Sequence, residues 1–291
     1  MTVNFNVLSF KLRWVFVGWW FLLLTSSLLL GCQPQEKTQA QADTIKDEQQ
    51  AQPISIAAAA NLADVLPQII SGYCIDRGLN VCPIETVFAS SGKLYAQIIA
   101  GAPYDIFLAA NQSYPEKLVV EMVGEQAQHQ PFTYTRGQLA LYSTTQVVEP
   151  DGNNLTLLKN PDFKVAIANP ELAPYGVAAQ AYLTELNLYD VLNKQKRLIM
   201  AENIGQAFQF TNTGHADVGF VALSQIKGLE NQVSESKVGH YQVIPSNTYP
   251  AILQDGLVIT NNSMAEDFVR YLQSDKGQAY FAQAGYLSVL E

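Results

Sequence analysis

Four short stretches hold the side chains that could do chemistry, and each sits where a strand-like run gives way to a helical one. "AAAANLADVL" brings Ala60 and Asn61 to the first such junction, and "FASSGKLYAQI" brings Ser90, Ser91 and Gly92 to the second. "ANPELAPYGVAAQ" places Tyr175 and Gly176 before the third helical run, and "AENIGQAF" opens the fourth with Asn203 and Ile204. These are hydroxyls, two carboxamides and unpaired first-turn amides, which suit an anion held by hydrogen bonds. The run Ala57–Ala60 carries no bulk, so a ligand can approach the backbone there. Asn61 is also a good helix N-cap, with Asp64 at capping-box distance, and that structural role stands beside the binding one. Lys93 in a first turn reads as a solvated side chain.

Motifs for other chemistry are incomplete. Ser90-Ser91-Gly92-Lys93 has the S-x-x-K spacing of penicillin-binding enzymes, but the companion K-T-G is missing. Gly92-Lys93 is not a phosphate loop, because position 87 is Val and Leu94 follows the lysine. His129, His215 and His240 stand alone, without the spacing of a zinc site. No nucleophile elbow occurs. The sequence reads as a binding protein with no cofactor and no metal of its own, and not as an enzyme.

The elements that must position these residues alternate. "ISIAAA", "CPIETVFAS", "DIFLAA", "FKVAIANP", "KRLIMAE" and "DVGFVALS" are strand-like, and helical runs such as "NLADVLPQIISGYCIDRG", "GKLYAQIIAGAP", "YPEKLVVEM", "GVAAQAYLTEL" and "IGQAFQFTNTG" come between them. "FTYTRGQLALYS" reads as one extended stretch, followed by a turn at 151–154; "AEDFVRYLQ" and "DKGQAYFAQAG" close the chain as helices. This is an α/β pattern, and open α/β sheets bind ligands where helices begin at the carboxyl ends of strands. Two of the four junctions fall in each half of the chain.

The 291 residues carry a net charge of −9, and loss of residues 1–31 with Lys11 and Arg13 would take it to −11. That balance argues against nucleic acid or an acidic membrane surface as partner. Residues 1–31 have the layout of a secretory signal: a short basic region, an uncharged run from Trp14, and "LLGC" at the end. Leu29–Cys32 resembles a bacterial lipobox, which implies cleavage before Cys32 and a lipid on its sulfur; a plain membrane anchor is the alternative. Residues 33–52 are polar and read as a flexible tether. Cys74 and Cys82 remain, eight apart, in a compartment where a disulfide persists; two buried thiols are the alternative.

From about Ile54 to Leu287 the chain resembles the periplasmic molybdate-binding proteins of ABC importers, on "AAAANLADVL", "FASSGKLYAQIIAGAPYDIFLAA", "ANPELAPYG" and "GFVALSQI". The resemblance implies a two-lobed α/β fold of periplasmic-binding-protein type II, with one tetrahedral oxyanion closed in the cleft. It implies donors at Asn61 and Ser91, with the amide of Ala60 or Asn61, from the first lobe, and at Tyr175 and the Ile204 amide from the second. Ser90, Asn203 and Ser224 are further candidates. Many members carry Tyr where Ala222 stands; others, with Asn at the first junction and "APYG" at the third, lack it, and this chain is similar to that branch. The resemblance further implies molybdate or tungstate as ligand, a membrane permease with its separate ATPase as partner, a monomer, and an extracytoplasmic site of action with the lipid anchor as the membrane contact. Sulfate or phosphate in the same fold is the alternative, and a ferric-ion site built on tyrosines is a weaker one. The expected lobes are residues 53–135 with 250–291, and residues 136–249, the chain crossing at "GQLALY" and "AILQDGLVI".

Overall fold

The computed structural model describes residues 53–121, 130–150 and 154–289. The signal, Cys32, the tether, His129 and most of the turn expected at 151–154 lie outside the described residues. No described helix is long and apolar enough to cross a membrane.

The described residues form two five-stranded sheets. The first contains β1 (Ile54–Ala59), β2 (Ile84–Ala89), β3 (Ile106–Leu108), β4 (Phe132–Gly137) and β10 (Ile252–Val258), in the order β2-β1-β3-β10-β4. The second contains β5 (Leu139–Ser143), β6 (Val165–Ala168), β7 (Leu198–Ala201), β8 (Val218–Ala222) and β9 (His240–Val243), in the order β7-β6-β8-β5-β9. Each sheet has three parallel strands beside an antiparallel one: β10 runs against β3 and β4, and β5 runs against β8 and β9. Parallel strands need crossovers, and here helices supply them. In the first lobe these are α1 (Leu66–Asp76) and α2 (Ser91–Ile99), with α3 (Ser113–Glu121) after β3. In the second they are α5 (Pro174–Glu185), α6 (Tyr189–Lys194) and α7 (Ile204–Asn212), with α8 (Leu223–Glu230) after β8. The short α4 (Leu155–Lys159) precedes β6, and α9 (Ser263–Gln273) and α10 (Asp275–Gln283) close the chain against the first sheet.

Each lobe has its own core. Ile54, Ile56, Leu62, Leu66 and Ile69 pack with Phe268, Leu272 and Phe281 in the first, and Leu139, Leu141, Val165, Ile167, Leu183 and Phe220 fill the second. A disulfide joins Cys74, near the end of α1, to Cys82 before β2, with Cα atoms 5.7 Å apart.

Several elements differ from the sequence expectation. The extended run 132–143 is two strands in different sheets, divided at Gln138, so a continuous β-pattern hides the step between lobes. The helix expected from Asn61 begins at Leu66, with Pro67 in its first turn, and Ala60–Leu62 form a separate 3₁₀ turn. The third junction lies inside a helix, because α5 starts at Pro174, a residue preorganised for a first helical position. The strand read through Ser224 ends at Ala222, and α4, α6 and α8 were not expected at all; α4 and α6 are too short for helical periodicity to show.

Candidate functional site

All four junctions meet in one cavity. β1, β2, β6 and β7 end facing the cleft, and the segments that follow them, with Ala110 after β3, line one small pocket. Ala59, Ala60, Ala89, Ala110 and Ala173 form bare walls. Asn61, Ser90, Ser91, Tyr175, Asn203 and Ile204 supply the polar atoms and amides. The alanines before Asn61 therefore have a use: no side chain stands between the backbone and the cavity. Gly176 is required for a related reason, since a Cβ there would strike the Ala168 carbonyl and push α5 off β6.

Among the described residues, no Asp, Glu, His, Lys or Arg lines the cavity. The starts of α2, α5 and α7 border it, and the first amides of a helix, which have no intrahelical acceptor, carry partial positive charge. Ser91 Oγ accepts from the Ala110 amide at 2.9 Å, which leaves its own O–H to donate. Ser90 is the N-cap of α2 by position, yet its side chain makes no capping bond, and its buried Oγ has no partner among the described residues. Asn203 behaves oppositely: it caps α7, accepting from the Gln206 amide at 3.0 Å, so its oxygen is already engaged. Ile204 follows as the first residue of α7 and can act through its amide alone. Tyr175 accepts from Gln254 Nε2 at 3.3 Å, and burial pushes its phenol well above the ordinary value. It is neutral, with its O–H left to donate.

Asn61 is not the helix cap expected from sequence. It is fully buried within the 3₁₀ turn, where its carbonyl accepts from the Tyr286 hydroxyl (2.8 Å) and from Ser224 Oγ (3.0 Å). Its Nδ2 donates to Gln254 Oε1 and to the Tyr286 hydroxyl, both at 2.9 Å. Asp64 makes no capping box with it, because α1 starts only after Asp64. Gln254 and Tyr286 escaped sequence reasoning: they lie nearly two hundred positions or more from Asn61, and no local pattern marks them. Ser224 contacts Asn61 rather than lining the cavity, and Ala222 is buried at the end of β8.

The lobes are closed on one another. The Gly92 amide donates to the Leu172 carbonyl at 3.0 Å, and the Tyr114 hydroxyl donates to the Glu171 carbonyl at 3.3 Å. Lys93 lies outside the cavity, its Nζ 2.7 Å from Glu202 Oε1 across the mouth. His215 is exposed against Thr213, His240 is exposed on β9, and no group of metal-ligating side chains occurs among the described residues.

Residues 54–287 match the family profile of bacterial extracellular solute-binding proteins. The chain is 36% identical over 242 residues to a molybdate-binding protein of Azotobacter vinelandii, covering 81% of this chain and 90% of that protein. It is 32% identical to a molybdate-binding protein of Rhodobacter capsulatus over 235 residues, 80% of this chain and 87% of that one. The solved structure of the Azotobacter vinelandii periplasmic molybdate-binding protein superposes with a TM-score of 0.70, at 32% identity, covering 81% of this chain and 99% of that one. With its two lobes and the cleft between them, the chain belongs to the bacterial extracellular solute-binding protein family.

Proposed function

We propose that this protein captures molybdate, and tungstate with it, outside the cytoplasm and delivers it to an ABC permease driven by a separate ATPase. The observation that carries the reading is the cavity lined by hydroxyls and helix-start amides, with no charged side chain among the described residues. Ser90, Ser91 and the Ala60–Asn61 backbone donate from the first lobe; Tyr175 and the Ile204 amide donate from the second. Lobe one is residues 53–137 with 250–291, and lobe two is residues 138–249; the boundary sits two residues later than expected from sequence because Arg136 and Gly137 pair with β10. Cys32 carries the lipid that holds the monomer at the membrane, and the polar tether lets the domain reach its permease.

Selectivity against sulfate follows from size. Sulfate has the same shape and charge as molybdate but is smaller, so fixed donors spaced for molybdate leave it short of contacts. Each hydrogen bond to an ion contributes about 1.5–3 kcal/mol, and losing two amounts to about a hundredfold or more. Molybdate and tungstate are nearly equal in size, so both are taken.

Calorimetric titration of the mature domain with molybdate, tungstate, sulfate and phosphate tests this. Molybdate and tungstate bind tightly, excess sulfate does not displace them, and Ser91→Ala weakens binding about 10- to 100-fold. Heat with sulfate or phosphate alone would keep the fold and replace the ligand. No heat with any of the four ions would reduce the helix starts to structural caps.

A further inference from the structure

An oxyanion such as molybdate offers only acceptors, yet Asn61, which lines the cavity, keeps a buried acceptor without a partner. Its Nδ2 is committed to Gln254 and Tyr286, while its buried Oδ1 has no hydrogen-bond partner among the described residues. A second mismatch lies one residue away. Tyr134 has one hydroxyl hydrogen but stands 2.8 Å from the Ala109 carbonyl and 3.1 Å from Gln254 Oε1, two acceptors. Gln254 joins both places. It is fully buried on β10, does not line the cavity, and reaches across the lobes to the Tyr175 hydroxyl. Gly137 makes room for that contact, since a Cβ there would strike the Tyr175 hydroxyl and come 2.7 Å from Gln254 Nε2.

The oxygen and nitrogen of a carboxamide have nearly the same shape, so a half-turn exchanges donor for acceptor without disturbing packing. Turning Asn61 alone would set its oxygen against Gln254 Oε1. Turning both amides removes each mismatch. Gln254 Nε2 then donates to Asn61 Oδ1 and to the Tyr134 hydroxyl, which keeps its hydrogen for Ala109. Ser224 still serves the Asn61 carbonyl, which frees the Tyr286 hydroxyl for Oδ1. Asn61 Nδ2 now faces the cavity, and the Tyr175 hydrogen goes to Gln254 Oε1 instead of the anion. Mixed settings place two acceptors or two donors face to face.

We propose that Gln254 is a positioning residue for the oxyanion site, whose amide lets either Asn61 or Tyr175, but not both, donate to the bound ion. The proposal rests on the reading of the cavity given above. It predicts that the two side chains substitute for one another. Molybdate titrations of Tyr175→Phe and Asn61→Ala each show a loss of about threefold or less, because the relay turns to the surviving donor. The double variant loses about a hundredfold, well beyond the product of the single effects. Ser91→Ala, outside the relay, loses the same factor in every background. Single losses that simply multiply would overturn the proposal.

Gln254→Glu gives a second readout that does not require Asn61 to be removed. Burial raises the pKa of this carboxyl, and once the pH is high enough to ionise it the carboxylate accepts from Asn61 Nδ2 and from the Tyr175 O–H together, drawing both donors from the cavity. Molybdate affinity then falls about tenfold or more, and recovers as the pH is lowered and the carboxyl regains a proton. Tyr134, Tyr175 and Tyr286 surround it, all pushed upward by burial, and the neighbouring Asp255 turns to Gln112. The wild type stays flat over the same range. A Gln254→Glu profile as flat as the wild type would overturn the relay. If the wild type binds no molybdate, the cavity reading itself falls; if it binds and the variants behave independently, only the role of Gln254 does.

Discussion

At the scale of single residues, the site separates side chains that cap helices from those that leave a hydroxyl for a ligand. Asn203 and Ser90 occupy the same N-cap position on α7 and α2, yet only Asn203 makes the capping bond. A buried hydroxyl without a partner costs about 1–3 kcal/mol. Ser90→Ala should therefore raise the stability of the empty protein, by about 1 kcal/mol, while weakening molybdate about tenfold. Urea unfolding and calorimetry read the two effects separately. A variant less stable than the parent would show that the Ser90 hydroxyl belongs to the fold and not to the ligand. Opposite signs are the mark of a group kept for binding.

At the scale of elements, the closing helix α9 is tied to α1 by groups that do not touch the cavity. Asp267 on α9 accepts from Arg77 Nε at 2.7 Å, Arg77 Nη2 at 3.1 Å and the Tyr73 hydroxyl at 3.0 Å, pinning α9 to the end of α1. The Arg77 guanidinium in first place, with Tyr73 and Arg270 after it, lowers the carboxyl from 3.8 to about 2, against a smaller upward push from burial. A depressed carboxylate stabilises above its unfolded value, and that contribution disappears as pH falls from about 4 towards about 2. The arginine is 42% exposed, so solvent screening reduces the clamp to about 1 kcal/mol. Asp267→Asn should lose that amount at neutral pH and nothing near pH 2, in thermal melts across the range; an equal loss at both ends would place the effect in packing. The strands and helices carrying the four junctions were legible in sequence because alternating periods and small residues mark them locally. What was not legible depends on distance or brevity. Gln254 and Tyr286 meet Asn61 only through the return of β10 and the chain end, and the break at Gln138 interrupts no β-pattern.

At the scale of the whole molecule, function depends on how much of closure the ligand supplies. An anion shifts an open–closed balance only by binding one state better, and the proposed site takes donors from both lobes, which favours the closed one. Protein contacts also hold that state: Gly92 to Leu172, Tyr114 to Glu171, Ser224 to Asn61, and the Lys93–Glu202 pair at the mouth. The last is the one salt can reach, since its side chains are 49% and 41% exposed. Such a pair contributes less than about 1 kcal/mol, and reversing one charge replaces attraction with repulsion of similar size. Lys93→Glu should thus weaken molybdate by a few-fold at low ionic strength without touching any donor. In about 1 M salt the Debye length falls to about 3 Å and the deficit should largely vanish. The loss in Ser91→Ala, inside the closed cavity, should persist at both salt concentrations. Titrations of both variants at low and high salt therefore divide closure from capture. A Lys93→Glu deficit unmoved by salt would mean that the lysine acts through the shape of α2 and not through its charge.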